Sequence, residues 1–456
     1  MLRSCSAGVL RWGCIVLLAS GISPGEGRAS AQAPGPDAVA PTTTIIHCGR
    51  LLAVPGEPER MESTIVVREG RIVEVLNGHA APERFPEPRA LIDLADRYVL
   101  PGLIDCHVHI TMQYTRDVRL RRMEESDADA AVQGVAFAKR ALEAGFTTIR
   151  DVGSSGDAAF AVRDAINDGL IPGPRLIASG ESISPTGGHS DATHGYREDL
   201  FAIPGAMQGI ADGADECRKA VRAQVKRGAD VIKLTATGGV LSNTAAGVEQ
   251  QFFEDELRAI VETSHQLGRK VAAHAHGVRG INAALRAGVD SIEHGTYLDE
   301  ESIALFRETG AFYVPTIMAG KHVEQMSKEE GYYPPAVRFK AAAVGPQIQD
   351  AFARAYKGGV RIAFGTDCGV GPHGENWREF VYMVEAGMPP AEAIASATVH
   401  AAELLGLGAE IGTIEPGKSA DIIATARSPV LNIEELSRVV FVMRAGVVHV
   451  DGRQRR

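Results

Sequence analysis

From residue 43 to about 98 the chain carries short runs in which apolar and polar positions alternate, TIIHCGRLLAV, STIVVREGRIVEV and ALIDLADRYVLPG, each bounded by turn residues. A period of two is the mark of strands with one buried face. Residues 406–456 repeat the pattern in GTIEPGKSADIIATA and VVFVMRAGVVHVDG. Two β-rich ends predict one small β-sandwich domain, formed by residues 43–98 together with 406–456. Between them, over 99–405, short apolar runs alternate with Ala-rich helical stretches such as ADAAVQGVAFAKRALEAG and FEDELRAIVETSHQLG. The runs LIDCHVHI, TTIRDVG, PRLIASG, ADVIKLTATGG, KVAAHAHG, DSIEHGT, FYVPTI and RIAFGTDCG make eight strand and helix units. That count predicts an α/β fold, a closed (β/α)8 TIM barrel. A doubly wound open sheet is the weaker alternative, because no Gly-rich dinucleotide fingerprint follows the first strand.

The first residues read as a leader rather than as part of the fold. Arg3 and Arg11 precede or flank the apolar WGCIVLLASGI, and Ala29-Ser30-Ala31 is a small-residue cleavage signal. Residues 1–31 are therefore read as a signal peptide, 32–42 as a Pro- and Ala-rich linker, and the mature protein as exported, periplasmic or secreted, with no membrane association after processing. The formal net charge of −10 leaves no basic excess to neutralise phosphates, which excludes nucleic acid as a partner. Cys48, Cys106, Cys217 and Cys368 remain in the mature chain without paired spacing. They are read as buried free thiols, with one disulfide left open.

Ligand-type residues recur at the C-terminal ends of the predicted strands: His107 and His109 on the first, Lys233 on the fourth, His274 on the fifth, His294 on the sixth and Asp367 on the eighth. In a barrel these ends meet at one mouth. Each residue alone has an ordinary structural reading, as a hydrogen-bonded core histidine, a salt bridge or a helix cap. Six in the same strand-end register point to a metal site, since independent structural roles would not select one end every time.

The stretches PGLIDCHVHI, ADVIKLTATGG, VAAHAHG, DSIEHGT, IAFGTDCG and GTIEPGKSADIIA resemble the successive signatures of the amidohydrolase superfamily. Its imidazolonepropionase-like branch, with Xaa-Pro dipeptidases and an ochratoxin hydrolase, is the most similar. The resemblance implies two divalent metal ions, normally zinc. His107, His109 and Asp367 would hold the more buried ion and His274 and His294 the more exposed one, with Lys233 bridging both as N6-carboxylysine. An ammonium cannot ligate a cation, whereas a neutral lysine that has captured carbon dioxide offers a carboxylate. His276, two residues from His274 and on the same strand face, is read as substrate-facing or supporting. His189, behind two glycines in SPTGGHSDATH, is assigned to the substrate carboxylate by the same resemblance. Tyr297 follows a ligand and is read as lining the pocket, with a core role equally open. The resemblance also implies a homo-oligomer.

The expected activity is cleavage of an amide in a small carboxylate-bearing substrate, a dipeptide such as Xaa-Pro or an N-acyl amino acid including ochratoxin-like amides. Metal-activated water would attack, with Asp367 as base and then acid. The alternatives are a cyclic-amide hydrolase or a deaminase of imidazolonepropionase type. Deaminases of the superfamily generally lack the bridging lysine, and a non-catalytic scaffold would have lost ligands that are all present here.

Overall fold

Strands β1 (Thr43–Leu51), β2 (Arg60–Arg68), β3 (Arg71–Asn77) and β4 (Arg89–Pro101) come from the first alternating segment. The structure, a computed structural model, describes residues 42–242 and 247–452, so the expected signal peptide and all but the end of the linker lie outside the described residues. β4 runs past the expected boundary at residue 98, because Tyr98–Pro101 pair antiparallel with Ile422–Thr425 near the other end of the chain.

Eight short strands follow: β5 (Leu103–Val108), β6 (Phe146–Asp151), β7 (Arg175–Ala178), β8 (Val231–Thr235), β9 (Lys270–Ala275), β10 (Ser291–His294), β11 (Phe312–Val314) and β12 (Arg361–Ile362). They coincide with the eight predicted runs. β5, β6 and β7 form a parallel three-stranded sheet, and β8 to β12 a parallel five-stranded one. Most of their residues are buried, which explains why the runs are almost continuously apolar rather than alternating. Backbone hydrogen bonds also cross between the two sheets. On one side Asp230 N donates to Ala178 O and Ile183 N to Lys233 O; on the other Cys106 N donates to Phe364 O and Asp367 N to His107 O.

Helices cover the outside of these strands. The helix Asp127–Glu143 is opened by a capping box between Ser126 and Asp129 and buries Phe137, Ala138, Ala141 and Leu142 against the strands. Between β11 and β12 the chain inserts two helices, Ile317–Ser327 and Pro335–Lys357, which pack on each other.

The chain ends with β13 (Ile422–Thr425), β14 (Val439–Arg444) and β15 (Val447–Asp451). These join the first four strands in one seven-stranded mixed sheet of order β15-β14-β13-β4-β1-β2-β3. Ile46, Ile65, Leu94, Ile422 and Phe441, drawn from both ends of the chain, share one core. The four cysteines among the described residues are buried and free.

Candidate metal centre

His107 is the fifth residue of β5 and fully buried, while His109 follows the strand's end on the same side. Nδ1 of His107 donates to Glu293 Oε2 at 2.7 Å, and Nδ1 of His109 donates to the Gly153 carbonyl at 2.7 Å. With both Nδ1 positions committed as donors, each Nε2 carries a lone pair in the neutral ring. Burial holds His107 well below the usual histidine range, so it is neutral. The two Nε2 atoms face Asp367 Oδ1, at 3.7 Å from His107 and 3.3 Å from His109. Three atoms that can each offer a lone pair to a cation therefore converge.

A second cluster stands beside the first. His274 on β9, His276 just beyond it and His294 at the end of β10 bring one ring nitrogen each within 4.8 Å of one another. Their rings are set by neighbours: His294 Nδ1 lies 2.8 Å from Thr316 Oγ1, and His276 Nδ1 lies 2.8 Å from Thr296 Oγ1. Among the described residues His107 Nε2, His274 Nε2 and Asp367 Oδ1 are buried without a hydrogen-bond partner. Orphaned acceptors of this kind cost free energy in a folded protein unless a cation or a donor satisfies them. The donor set, imidazoles plus one carboxylate, suits a divalent ion such as zinc.

Lys233 on β8 opens into the same cavity as both clusters. Burial is the main cause that lowers its amine to about 8, so the neutral form is accessible near neutral pH. Burial likewise raises Asp367 to about 6. The backbone is strained where these groups converge. His294, Thr316 and Asp367 have φ of 73°, 52° and 58°, in the left-handed region that non-glycine residues rarely adopt. Such conformations cost about 1–3 kcal/mol each and persist where the surroundings hold them.

The remaining expected residues divide. His189 lines the cavity, stacks on His274 with ring centroids 4.2 Å apart, and pairs through Nδ1 with Ser242 Oγ at 2.5 Å. A side chain at Gly239 would collide with the His189 ring, so the glycine permits this seating. His276 stands among the potential ligand atoms rather than behind them. Tyr297 is half-buried and is not among the residues lining the cavity; its backbone N–H donates to the His276 carbonyl.

The sequence model of the amidohydrolase family matches residues 98–450. The chain belongs to the amidohydrolase family. Ochratoxinase of Aspergillus niger is 34% identical over 436 residues, covering 89% of this chain and 85% of that protein. A crystal structure of a Xaa-Pro dipeptidase with bound methionine in its active site is similar with a TM-score of 0.86 and 43% identity, over 90% of this chain and 100% of that one. Imidazolonepropionase of Rhizorhabdus wittichii is 28% identical over 397 residues, covering 79% of this chain and 87% of that protein. Amidohydrolases generally work with divalent metals and hydrolyse C–N bonds, and the two clusters are candidate metal sites.

This amidohydrolase supports its histidines with residues that the sequence reading did not single out. Glu293, which accepts from His107, also accepts from Arg150 Nη2 at 2.9 Å and Ser291 Oγ at 2.5 Å. Arg150 is itself buried and donates to the Cys106 carbonyl. Asp105 accepts from the backbone N–H groups of His107 and Thr366 and from the side chains of Thr366 and Asn376. It thereby ties β5 to the segment that carries Asp367. Glu379 accepts from the Ile317 and Met318 N–H groups and fixes the turn holding Thr316. A carboxylate in DSIEHGT next to a ligand was a usable signal for Glu293; nothing local marks Arg150 as its partner.

Proposed function

We propose that this amidohydrolase is an exported, binuclear metal-dependent enzyme that cleaves an amide bond in a small substrate bearing a free carboxylate, an Xaa-Pro dipeptide or an N-acyl amino acid. The observation that carries the proposal is the convergence of His107, His109, Asp367, His274, His294 and Lys233 on one cavity, with buried ring and carboxylate atoms that no donor among the described residues satisfies. The hydrogen bonds that cross between the two parallel sheets support reading β5 to β12 as a closed (β/α)8 barrel with these residues at its mouth. The core shared by both chain ends supports a small sandwich-like domain beside it.

His107, His109 and Asp367 would hold one zinc and His274 and His294 the other, with Lys233 between them as N6-carboxylysine. The buried amine of Lys233, lowered toward neutrality, supports that modification, since only the neutral amine attacks carbon dioxide. When bound, the metals supply a water of lowered pKa and polarise the scissile carbonyl. Asp367 takes up the proton of that water on its carboxylate and passes it to the departing amine. Glu293 and Gly153 keep His107 and His109 in the tautomer that presents Nε2. His189 and His276 face the substrate, and His189 is assigned to its carboxylate. A free amino acid is what such cleavage releases, and one solved relative holds methionine in its active site.

The test is elemental analysis beside hydrolysis of Xaa-Pro dipeptides and N-acyl amino acids, ochratoxin-like amides included. The expected result is about two metals per chain and cleavage of a carboxylate-bearing amide. A protein with one metal or none and no cleavage would overturn it. The imidazolonepropionase relative favours a second reading, a cyclic-amide hydrolase, which ring opening of an imidazolone substrate in the same assay would reveal.

A further inference from the structure

The lining of the cavity is of two unlike kinds. One is polar: the ligand-type side chains with the hydroxyls of Ser182, Ser190, Thr235 and Thr316. The other is the aliphatic wall, Val240 and Leu241 after β8, Val323 on Ile317–Ser327, Val344 and Ile348 on Pro335–Lys357, and Val370 after β12. All six are aliphatic. Among the described residues, Asp367 and Lys233 are the carboxylate and ammonium groups that line the cavity, and both sit at the ligand end.

The inserted helices that supply much of this wall approach closely. A Cβ at Gly320 would lie 2.6 Å from Ile348 Cγ2, so Ile348 rests against bare backbone and its position is fixed by that contact. An aliphatic side chain entering here leaves water for a surface that makes no polar demand. A charged one would lose its hydration with no partner to replace it.

We propose that this aliphatic wall receives an uncharged apolar side chain of the substrate and makes the enzyme select apolar amides against acidic and basic ones. The assignment rests on the amide-hydrolase function proposed above and adds the class of side chain that the substrate carries.

The experiment uses the full chain loaded with zinc. Two substrate series, Xaa-Pro dipeptides and N-acetyl-Xaa, place Leu, Met, Phe, Asp or Lys on either side of the amide, and binding of the free amino acids is followed separately by thermal shift. In the series whose side chain meets the wall, kcat/KM for Leu and Met should exceed that for Asp and Lys by at least about 10-fold. Leucine and methionine should protect the protein where aspartate and lysine do not. Val344→Asp should reverse the order toward Lys. Ile348→Ala, a milder change, should raise the Phe-to-Leu ratio, so the test survives if the aspartate variant does not fold. Equal turnover and equal binding across the side chains, or a Phe-to-Leu ratio unchanged in Ile348→Ala, overturns the assignment while leaving the hydrolase reading intact. Selective binding of leucine and methionine with no cleavage in either series supports the wall and sinks the hydrolase reading instead.

Discussion

Arg150 and Glu293 are both fully buried, and their 2.9 Å contact lies directly behind the His107 ring. Arg150→Met would leave the Glu293 carboxylate uncompensated, at a cost of about 3–5 kcal/mol. The double variant Arg150→Met/Glu293→Gln should be milder than the single one, which chemical denaturation would measure. The double variant should bind metal about 10–100-fold more weakly, because His107 loses the carboxylate that orients it. Lys233→Ala should bring metal content down toward one ion or fewer per chain by elemental analysis, a loss that a Lys playing only a packing role would not produce. The clustering of the candidate ligand histidines was legible because imidazoles recurring at the same end of successive strands converge in space, and convergent imidazoles suit a metal better than they suit a core. Arg150 was not, since a charge in TTIRDVG gives no hint that its partner lies 143 residues away.

Glu379 allows a prediction about pH. Burial raises its carboxyl to about 8 from an ordinary 4.5. Between those values the folded chain keeps a proton that the unfolded chain has released, so this group's contribution to stability falls as pH rises. The slope is at most about 1.4 kcal/mol per pH unit. Glu379→Gln adds a constant offset and removes the slope, so the melting temperature of the wild type should decline relative to the variant from about pH 5 to about pH 8.

Among the elements, the eight central strands were legible because most are buried on both faces and read as apolar runs bounded by turns. Their ends were less so. β12 has regular ladder pairing only at Arg361 and Ile362, yet the chain continues alongside β5 through Phe364 and Asp367. β4 runs on past residue 98 because its end pairs with a strand more than three hundred residues away in sequence, a partner that no local pattern marks. The aliphatic wall was also hidden, since its residues come from two helices and two loops. Lys340, on the helix Pro335–Lys357, donates to the carbonyls of Gly239 at 2.9 Å and Ser242 at 2.8 Å. It thus holds the loop that bears Val240, Leu241 and the Ser242 partner of His189. Lys340→Met should raise KM about 10-fold, equivalent to about 1.4 kcal/mol, with kcat and metal content little changed. Steady-state kinetics beside elemental analysis would separate this from a general loss of structure.

For the whole molecule, metal and fold are coupled. His107 Nε2, His274 Nε2 and Asp367 Oδ1 are buried with no hydrogen-bond partner among the described residues. Chelation should therefore lower the melting temperature by several degrees, and zinc should restore it in proportion to its free concentration. Saturation at about a thousandfold over Kd corresponds to about 4 kcal/mol. The homo-oligomer expected from the resemblance is checked by light scattering on the eluting protein.

The two-ended sheet sets an order of events during synthesis. β4 sits between β1 and β13, so its edge stays unpaired on the ribosome until the last part of the message has been read. A chain stopped anywhere before β13 carries that open edge permanently, and exposed edges recruit other chains. Nonsense changes that remove even a tenth of the protein should therefore yield aggregates rather than weakened enzyme, although every ligand to the metals would already have been made.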